Sequence, residues 1–178
     1  MPLFKRKKKP SERTDYVLDK LKEVSFFSMF ANDIDMIKRI AEMCTRRFYR
    51  KGKPIIREGN FGDELFIVIS GQIDIIKKTL QNEPYTVTTM NAGLGAVYVG
   101  EIALIDNDRR SASVYAKTDC RCLVISREDF IKFGDENPQA GLAITRAIAS
   151  RLCANLRKSN TDIITLFSAL VEEISSSS

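Results

Sequence analysis

Between residues 46 and 126 the chain changes period. Apolar, β-branched and aromatic residues come in short runs near period two, cut by Gly52, Gly59, Gly62, Gly71, Asn82, Gly93 and Gly95. A strand sends successive side chains to opposite faces, and such residues mark the turns between strands. Eight strands are predicted, over 47–50, 54–57, 65–70, 72–78, 85–90, 96–99, 112–117 and 121–125. Short strands at this spacing leave an antiparallel sandwich or roll as the architecture.

Helical period flanks the strands on both sides. Val17, Leu18, Leu21 and Val24 recur at threes and fours and predict an amphipathic helix over about 14–29. A second helix begins at Asn32 or Asp33, both good N-caps, and carries Ile34, Met36, Ile37, Ile40, Ala41 and Cys44. After the strands, Ser126 and Asp129 form a capping box in which Asp replaces the usual Glu. Asn137-Pro138 restarts the helix as N-cap and first helical residue. Ile144, Ile148, Leu152, Leu156, Ile163, Phe167, Leu170 and Ile174 then continue the stripe. A single helix to Ile174 would be ~55 Å long at ~1.5 Å per residue. A break is expected near Lys158-Ser159-Asn160, since Ser159-Asn160-Thr161-Asp162 are poor helix formers and good caps. The expected class is α+β: an eight-stranded antiparallel β-roll of jelly-roll type, with N-terminal helices and a long C-terminal helix. Its parts are a disordered basic tail over 1–13, helices over 14–45, the roll over 46–126, helices over 127–174 and a disordered end over 175–178.

Composition narrows the function. With 178 residues, 44% of them hydrophobic, the chain suits one compact domain with an extension. No apolar run approaches the ~18–20 residues of a membrane span, and the basic N-terminus lacks the apolar segment of a secretory signal. Cys44, Cys120, Cys122 and Cys153 are expected to be buried, reduced thiols of a cytoplasmic protein, and no metal set is expected. The chain has no histidine, which excludes Ser-His-Asp and Cys-His catalysis and every His-containing zinc site. Residues 1–13 hold six bases against one acid, so the net charge of +5 belongs to a tail and the body is neutral. Residues Lys5–Lys9 of that tail would touch an anionic membrane or nucleic acid weakly, at roughly 1 kcal/mol per base near a membrane surface.

One stretch carries chemistry. Val99-Gly100-Glu101-Ile102-Ala103-Leu104 is followed by Arg110-Ser111-Ala112-Ser113-Val114. Gly100 lets a ligand approach the backbone, and a helical turn at Glu101 aims free N–H groups at an anion. Arg110 can grip a phosphate through two parallel bonds, with Ser111 and the Ala112 amide adding donors. Glu101 then either accepts from a ligand hydroxyl or pairs with Arg110.

These residues closely resemble the phosphate-binding cassette of the cyclic-nucleotide-binding domain family, whose pattern is roughly G-E-x-A/G-L, a loop, then R-[A/S/T]-A-x-V. Upstream, Glu58-Gly59-Asn60-Phe61-Gly62-Asp63-Glu64-Leu65-Phe66 through Gly71 resembles the family's E-G-x-x-G-D strand pair. The likeness runs from Phe26 to Leu156. The chain departs from the pattern at Arg109, where many eukaryotic members have proline, and in a slightly long stretch over 91–98. The resemblance implies a sensor of a 3′,5′-cyclic purine nucleotide, cAMP before cGMP, with no cofactor and no catalysis. Its ligand residues are Val99, Gly100, Glu101, Ile102, Ala103, Arg110, Ser111 and Ala112, with Glu101 on the ribose 2′-hydroxyl. In the family's bacterial regulators the late helix pairs with its twin in a parallel dimer and reaches the base, which points here to Asn155. Those regulators continue into a helix-turn-helix domain, for which the remaining residues leave no room. The effector is unknown, and the chain can equally be a regulatory fragment of a larger protein. The alternative is a ligand-independent dimerisation scaffold built on the Ile163–Ile174 stripe.

Overall fold

The structure is a computed structural model that describes residues 10–176. The basic Lys5–Lys9 segment lies outside the described residues. Helices α1 (Pro10–Lys22) and α2 (Ile34–Glu42) lead into eight strands. These are β1 (Thr45–Tyr49), β2 (Pro54–Ile56), β3 (Glu64–Ser70), β4 (Gln72–Lys78), β5 (Pro84–Asn91), β6 (Val97–Val99), β7 (Ser113–Ala116) and β8 (Cys120–Ser126). Helices α3 (Arg127–Glu136) and α4 (Pro138–Ser176) follow. All strand pairs are antiparallel, in two four-stranded sheets ordered β1-β8-β3-β6 and β2-β7-β4-β5. The α+β roll expected from the sequence is the fold observed.

Alternation along β3 explains why its run Leu65-Phe66-Ile67-Val68-Ile69 is apolar throughout. Phe66 and Val68 point into the roll with Val97, Val99, Cys122 and Val124, against Ile56, Ile73 and Val114 of the second sheet. Leu65, Ile67 and Ile69 point the other way, with Leu123 and Ile125, onto Phe26, Phe27, Ile37, Ile40, Phe130, Ile144 and Ile148 of the helical layer. Strands β3 and β8 are therefore buried on both faces, the edge strand β1 stays largely exposed, and the helices are fixed to the back of the sheet.

The helices differ from expectation in four places. The expected disordered tail is helical from Pro10 onward. The first helix stops at Lys22 instead of near Met29, and tight turns follow in which the Val24 amide donates to the Leu21 carbonyl and the Phe27 amide to the Val24 carbonyl; Phe26 and Phe27 are both buried there. Their rings meet edge to face at 4.7 Å, and Phe26 meets Tyr98 the same way at 4.9 Å. Asn137 serves both helices: its carbonyl accepts the first bond of α4 from the Gly141 amide, as expected of the residue before Pro138, but its side chain turns to α3, where its amide donates to the Phe133 carbonyl and its oxygen accepts from Arg39. No break interrupts α4, which runs 39 residues through Ser176. The hydroxyls of Thr161 and Thr165 donate to the carbonyls of Arg157 and Thr161 at 3.1 and 3.0 Å, so these poor helix formers satisfy themselves along the helix.

The expected caps at Asp33 and Ser126 are present, accepting from the amides of Met36 and Asp129. Cys120 and Cys122 are buried, and Cys44 is half-buried; burial pushes the thiols of Cys44 and Cys122 up to about 12, which keeps them protonated. Cys153 departs from the expectation and is exposed on α4.

Candidate functional site

Strand β6 ends at Gly100, which turns the chain into a 3-10 helix over Glu101–Leu104. Gly100 has φ +84°, and a Cβ there would sit 2.6 Å from Arg110 Nη1 and 2.9 Å from the Glu64 carbonyl. Glycine is required twice, for the left-handed backbone and for the close approach. Gly62 flanks the other side of the same guanidinium, since its Cβ would fall 2.4 Å from Arg110 Nε. Arg110 thus lies in a slot between two glycines.

Within the slot Arg110 Nη2 donates to the Glu64 carbonyl at 2.7 Å, and Nη1 to the Gly100 carbonyl at 3.4 Å. The segment is tied down through its backbone: the Arg110 amide donates to the Asn60 carbonyl, and the Gly59 amide donates to the Arg110 carbonyl. Nearby Glu64 is engaged by Arg47 in a two-pronged ion pair. Arg110 therefore has neutral carbonyls as its hydrogen-bond acceptors among the described residues. Partial burial pulls its pKa below the ordinary arginine value, against the pull of Glu64 and Asp63. A half-buried, under-solvated guanidinium of this kind gains from any anion that reaches it.

The other predicted residues take varied positions. Val99 and Ala103 are buried, Ile102 is 45% exposed, Ser111 is exposed and Ala112 half-buried just ahead of β7. The Ala103 amide is already used by the Gly100 carbonyl at 3.1 Å. Glu101 does not pair with Arg110. Its carboxylate faces Arg151 of α4 at 3.8 Å, and the Arg151 guanidinium lies over the Tyr98 ring, 4.5 Å from the centroid. Arg151 sits at the last docked turn of α4; from Cys153 onward the helix is exposed, and Asn155 lies on that exposed part. The structure thus joins Gly100 to Arg110, turns Glu101 toward Arg151, and leaves Asn155 on the exposed part of α4.

Gly62, Tyr98 and Arg151 complete this arrangement, and none of the three is among the ligand residues that the sequence assigns. Gly62 stood in the upstream block but carried no assigned role. Arg109, where the chain departs from the family pattern, stacks on Phe61 with its Cζ 4.8 Å from the ring centroid and donates to the Gly59 carbonyl. A cavity of about 290 Å³ opens beside the guanidinium, bounded by Ile56, Asn60, Phe61, Gly62 and Asp63. A larger one, about 640 Å³, lies between α2 and α3 away from the cassette, and acids and bases of both signs wall it.

The family model of the cyclic nucleotide-binding domain matches residues 46–137, the roll and α3 together. The chain belongs to the cyclic nucleotide-binding domain family. Human cGMP-dependent protein kinase 2 is 38% identical over 98 residues, which are 54% of this chain and 12% of the kinase. The cyclic AMP receptor protein of Thermus thermophilus is 33% identical over 107 residues, 60% of this chain and 48% of the receptor. The crystal structure of the Thermus thermophilus catabolite activator protein superposes with a TM-score of 0.66 at 26% identity, covering 74% of this chain and 59% of that one. The regulatory domain of Toxoplasma gondii PKA, crystallised with cAMP, gives 0.61 at 25% identity, covering 77% and 50%. This chain spans less than half the length of either curated relative.

In this cyclic nucleotide-binding domain, Gly100→Val is expected to displace Arg110 from its slot. The variant forces a β-branched side chain into positive φ and against the guanidinium. Calorimetry should show cyclic-nucleotide affinity reduced at least tenfold.

Proposed function

We propose that this chain senses a 3′,5′-cyclic purine nucleotide, cAMP before cGMP, in the cassette 99–112 and passes the event along α4 to a second copy or an effector. The carrying observation is Arg110: a half-buried cation, aimed by two glycines and two carbonyls, with no acid bonded to it among the described residues. A cyclic phosphate offers the missing charge and two exocyclic oxygens in the spacing of a guanidinium fork. The Ser111 hydroxyl and the Ala112 amide add donors. Glu101 accepts from the ribose 2′-hydroxyl, and Asn155 donates to and accepts from the base edge once α4 closes over it. The Ser111 hydroxyl also keeps cGMP in play. The binding site performs no reaction, and the free thiols suit a cytoplasmic chain.

The relay rests on Glu101. In this structure it faces Arg151 of α4. A ligand hydroxyl that engages Glu101 alters what holds that turn of the helix, and the equilibrium between α4 positions shifts by the differential affinity.

Titration calorimetry with cAMP and cGMP side by side tests the reading. At ~100 times its Kd either ligand should stabilise the domain by ~2.7 kcal/mol. Heat and a thermal shift from one of them are expected; no response to either overturns the proposal. The exposed apolar face of α4 favours a second reading, a ligand-independent dimerisation scaffold. That reading predicts a dimer whose melting temperature ignores both nucleotides.

A further inference from the structure

An anion stands beside Arg110, and a second arginine holds it away. Glu64 gives Arg110 its backbone carbonyl at 2.7 Å, so its carboxylate hangs from the very residue that the guanidinium touches. That carboxylate is turned to Arg47, whose Nη1 donates to one oxygen at 2.8 Å and whose Nη2 pairs with the other. Strand register explains how the two meet. Arg47 of β1 stands opposite Cys122 of β8, and Cys122 opposite Val68 of β3. Opposed residues share a face, and Cys122, Val68 and Phe66 point into the roll. Glu64, two residues before Phe66, lies on that same face. Arg47 therefore reaches Glu64 across β8 along the inner wall. Arg110 approaches β3 from its other edge, where β6 ends at Val99. Glu64 stands between two guanidinium groups.

A carboxylate released next to a half-buried guanidinium pairs with it. Glu64 is the acid placed to do so. Burial pulls the Arg110 pKa down, and of the two acids that pull it back Glu64 acts more strongly than Asp63. Asp63 is exposed, and water screens it, whereas the Glu64 side chain is only 23% exposed. Burial also holds the Tyr49 hydroxyl, beside Arg47, above its ordinary value. Tyr49 stays neutral and gives Arg47 no second anion. The cavity of about 290 Å³ next to Arg110 is bounded by Glu64 and Phe66 as well, so an anion entering it meets the guanidinium with the Glu64 carboxylate turned away.

We propose that Arg47 is a positioning residue for the phosphate site: its two-pronged hold on Glu64 keeps that carboxylate off Arg110 and leaves the guanidinium open to a ligand. The role rests on the reading of Arg110 as the phosphate ligand, and Arg47 acts through Glu64 without touching the nucleotide. Calorimetry on the full chain with cAMP and with cGMP tests it. In Arg47→Met the freed Glu64 takes Arg110. Only the open fraction binds, so a pair formed about nine times in ten lowers the apparent affinity about tenfold. Adding Glu64→Gln removes the competing charge, keeps the backbone carbonyl, and should return affinity to within about threefold of wild type. Adding Asp63→Asn instead restores the same net charge but leaves Glu64 free, so affinity should stay low. Equal rescue by both would show a general field effect and overturns the role. Arg47→Met that binds like wild type, or rescue by neither substitution, overturns it as well. Nitrogen-15 NMR of the arginine side chains gives a readout without nucleotide. Arg47→Met should shift the Arg110 Nε–H signal and slow its exchange with water, and Glu64→Gln should reverse both. If that signature is present but wild type binds neither nucleotide, the ligand reading fails and the role of Arg47 stands. If a nucleotide binds and the signature is missing, the role fails alone.

Discussion

Arg110→Leu is expected to lower cyclic-nucleotide affinity at least ~100-fold while the domain melts close to the wild-type temperature. The guanidinium would make two charge-assisted bonds to a phosphate, each worth about 1.5–3 kcal/mol. Losing both removes at least ~3 kcal/mol, and each 1.4 kcal/mol is tenfold in affinity. Stability changes little because the two terms offset. The carbonyls of Glu64 and Gly100 lose a donor, but a half-buried charge with no acid bonded to it is removed. Arg109→Leu is the control. It abolishes the stacking on Phe61 and the bond to the Gly59 carbonyl. It leaves the slot filled, so affinity should change less than threefold. Calorimetry on both variants decides the assignment; Arg110→Leu binding within tenfold of wild type would show that the phosphate sits elsewhere.

Arg110 and Gly100 were legible in the sequence because their chemistry is local. A positive-φ glycine, a helical turn and an arginine ten residues on form one strand-turn-strand unit. The eight strands were legible for a similar reason: turn residues bracket each one, and β4 matches its expected bounds at both ends. What escaped depends on partners distant along the chain. Glu101 meets Arg151 fifty residues later, and no local signal separates that contact from a pair with Arg110. The end of α1 is not marked in the sequence, since the turns at Leu21–Val24 and Val24–Phe27 that close it contain no Gly or Pro. Helix α4 was expected to break because Ser159–Asp162 favour caps, but the threonine hydroxyls bond back along the helix instead. Propensity is a weak prior once a long apolar stripe runs through both sides of a segment.

The seat of that long helix gives the second large effect. Helices α3 and α4 cross with their backbones touching: a Cβ on Gly141 would lie 2.7 Å from the Gly134 Cα and 3.4 Å from its carbonyl oxygen. Neither is a flexible side chain that can step aside. Ile144 and Ile148, both fully buried, fix the next two turns of α4 on the back of the first sheet. Gly141→Val must therefore push α3 and α4 apart or lift α4 off the sheet, an overpacking cost of about 2–3 kcal/mol. At ~2–4 °C per kcal/mol for a domain of this size, melting should fall by roughly 4–12 °C. Gly134→Ala reads the same crossing from the other side. Its Cβ would meet the Gly141 Cα at 3.8 Å, an ordinary contact, in a helix interior where alanine is favoured over glycine by roughly 0.8–1 kcal/mol. That variant should melt at or above the wild-type temperature. The asymmetry is the test, because equal destabilisation by both variants would mean that the helices are not held apart by a backbone contact at Gly141. The same contact predicts a functional split. Gly141→Val shifts the turn that sets Arg151 over Tyr98 and beside Glu101, so the roll should still bind nucleotide within tenfold of wild type. Spin labels on α4 should no longer report the binding.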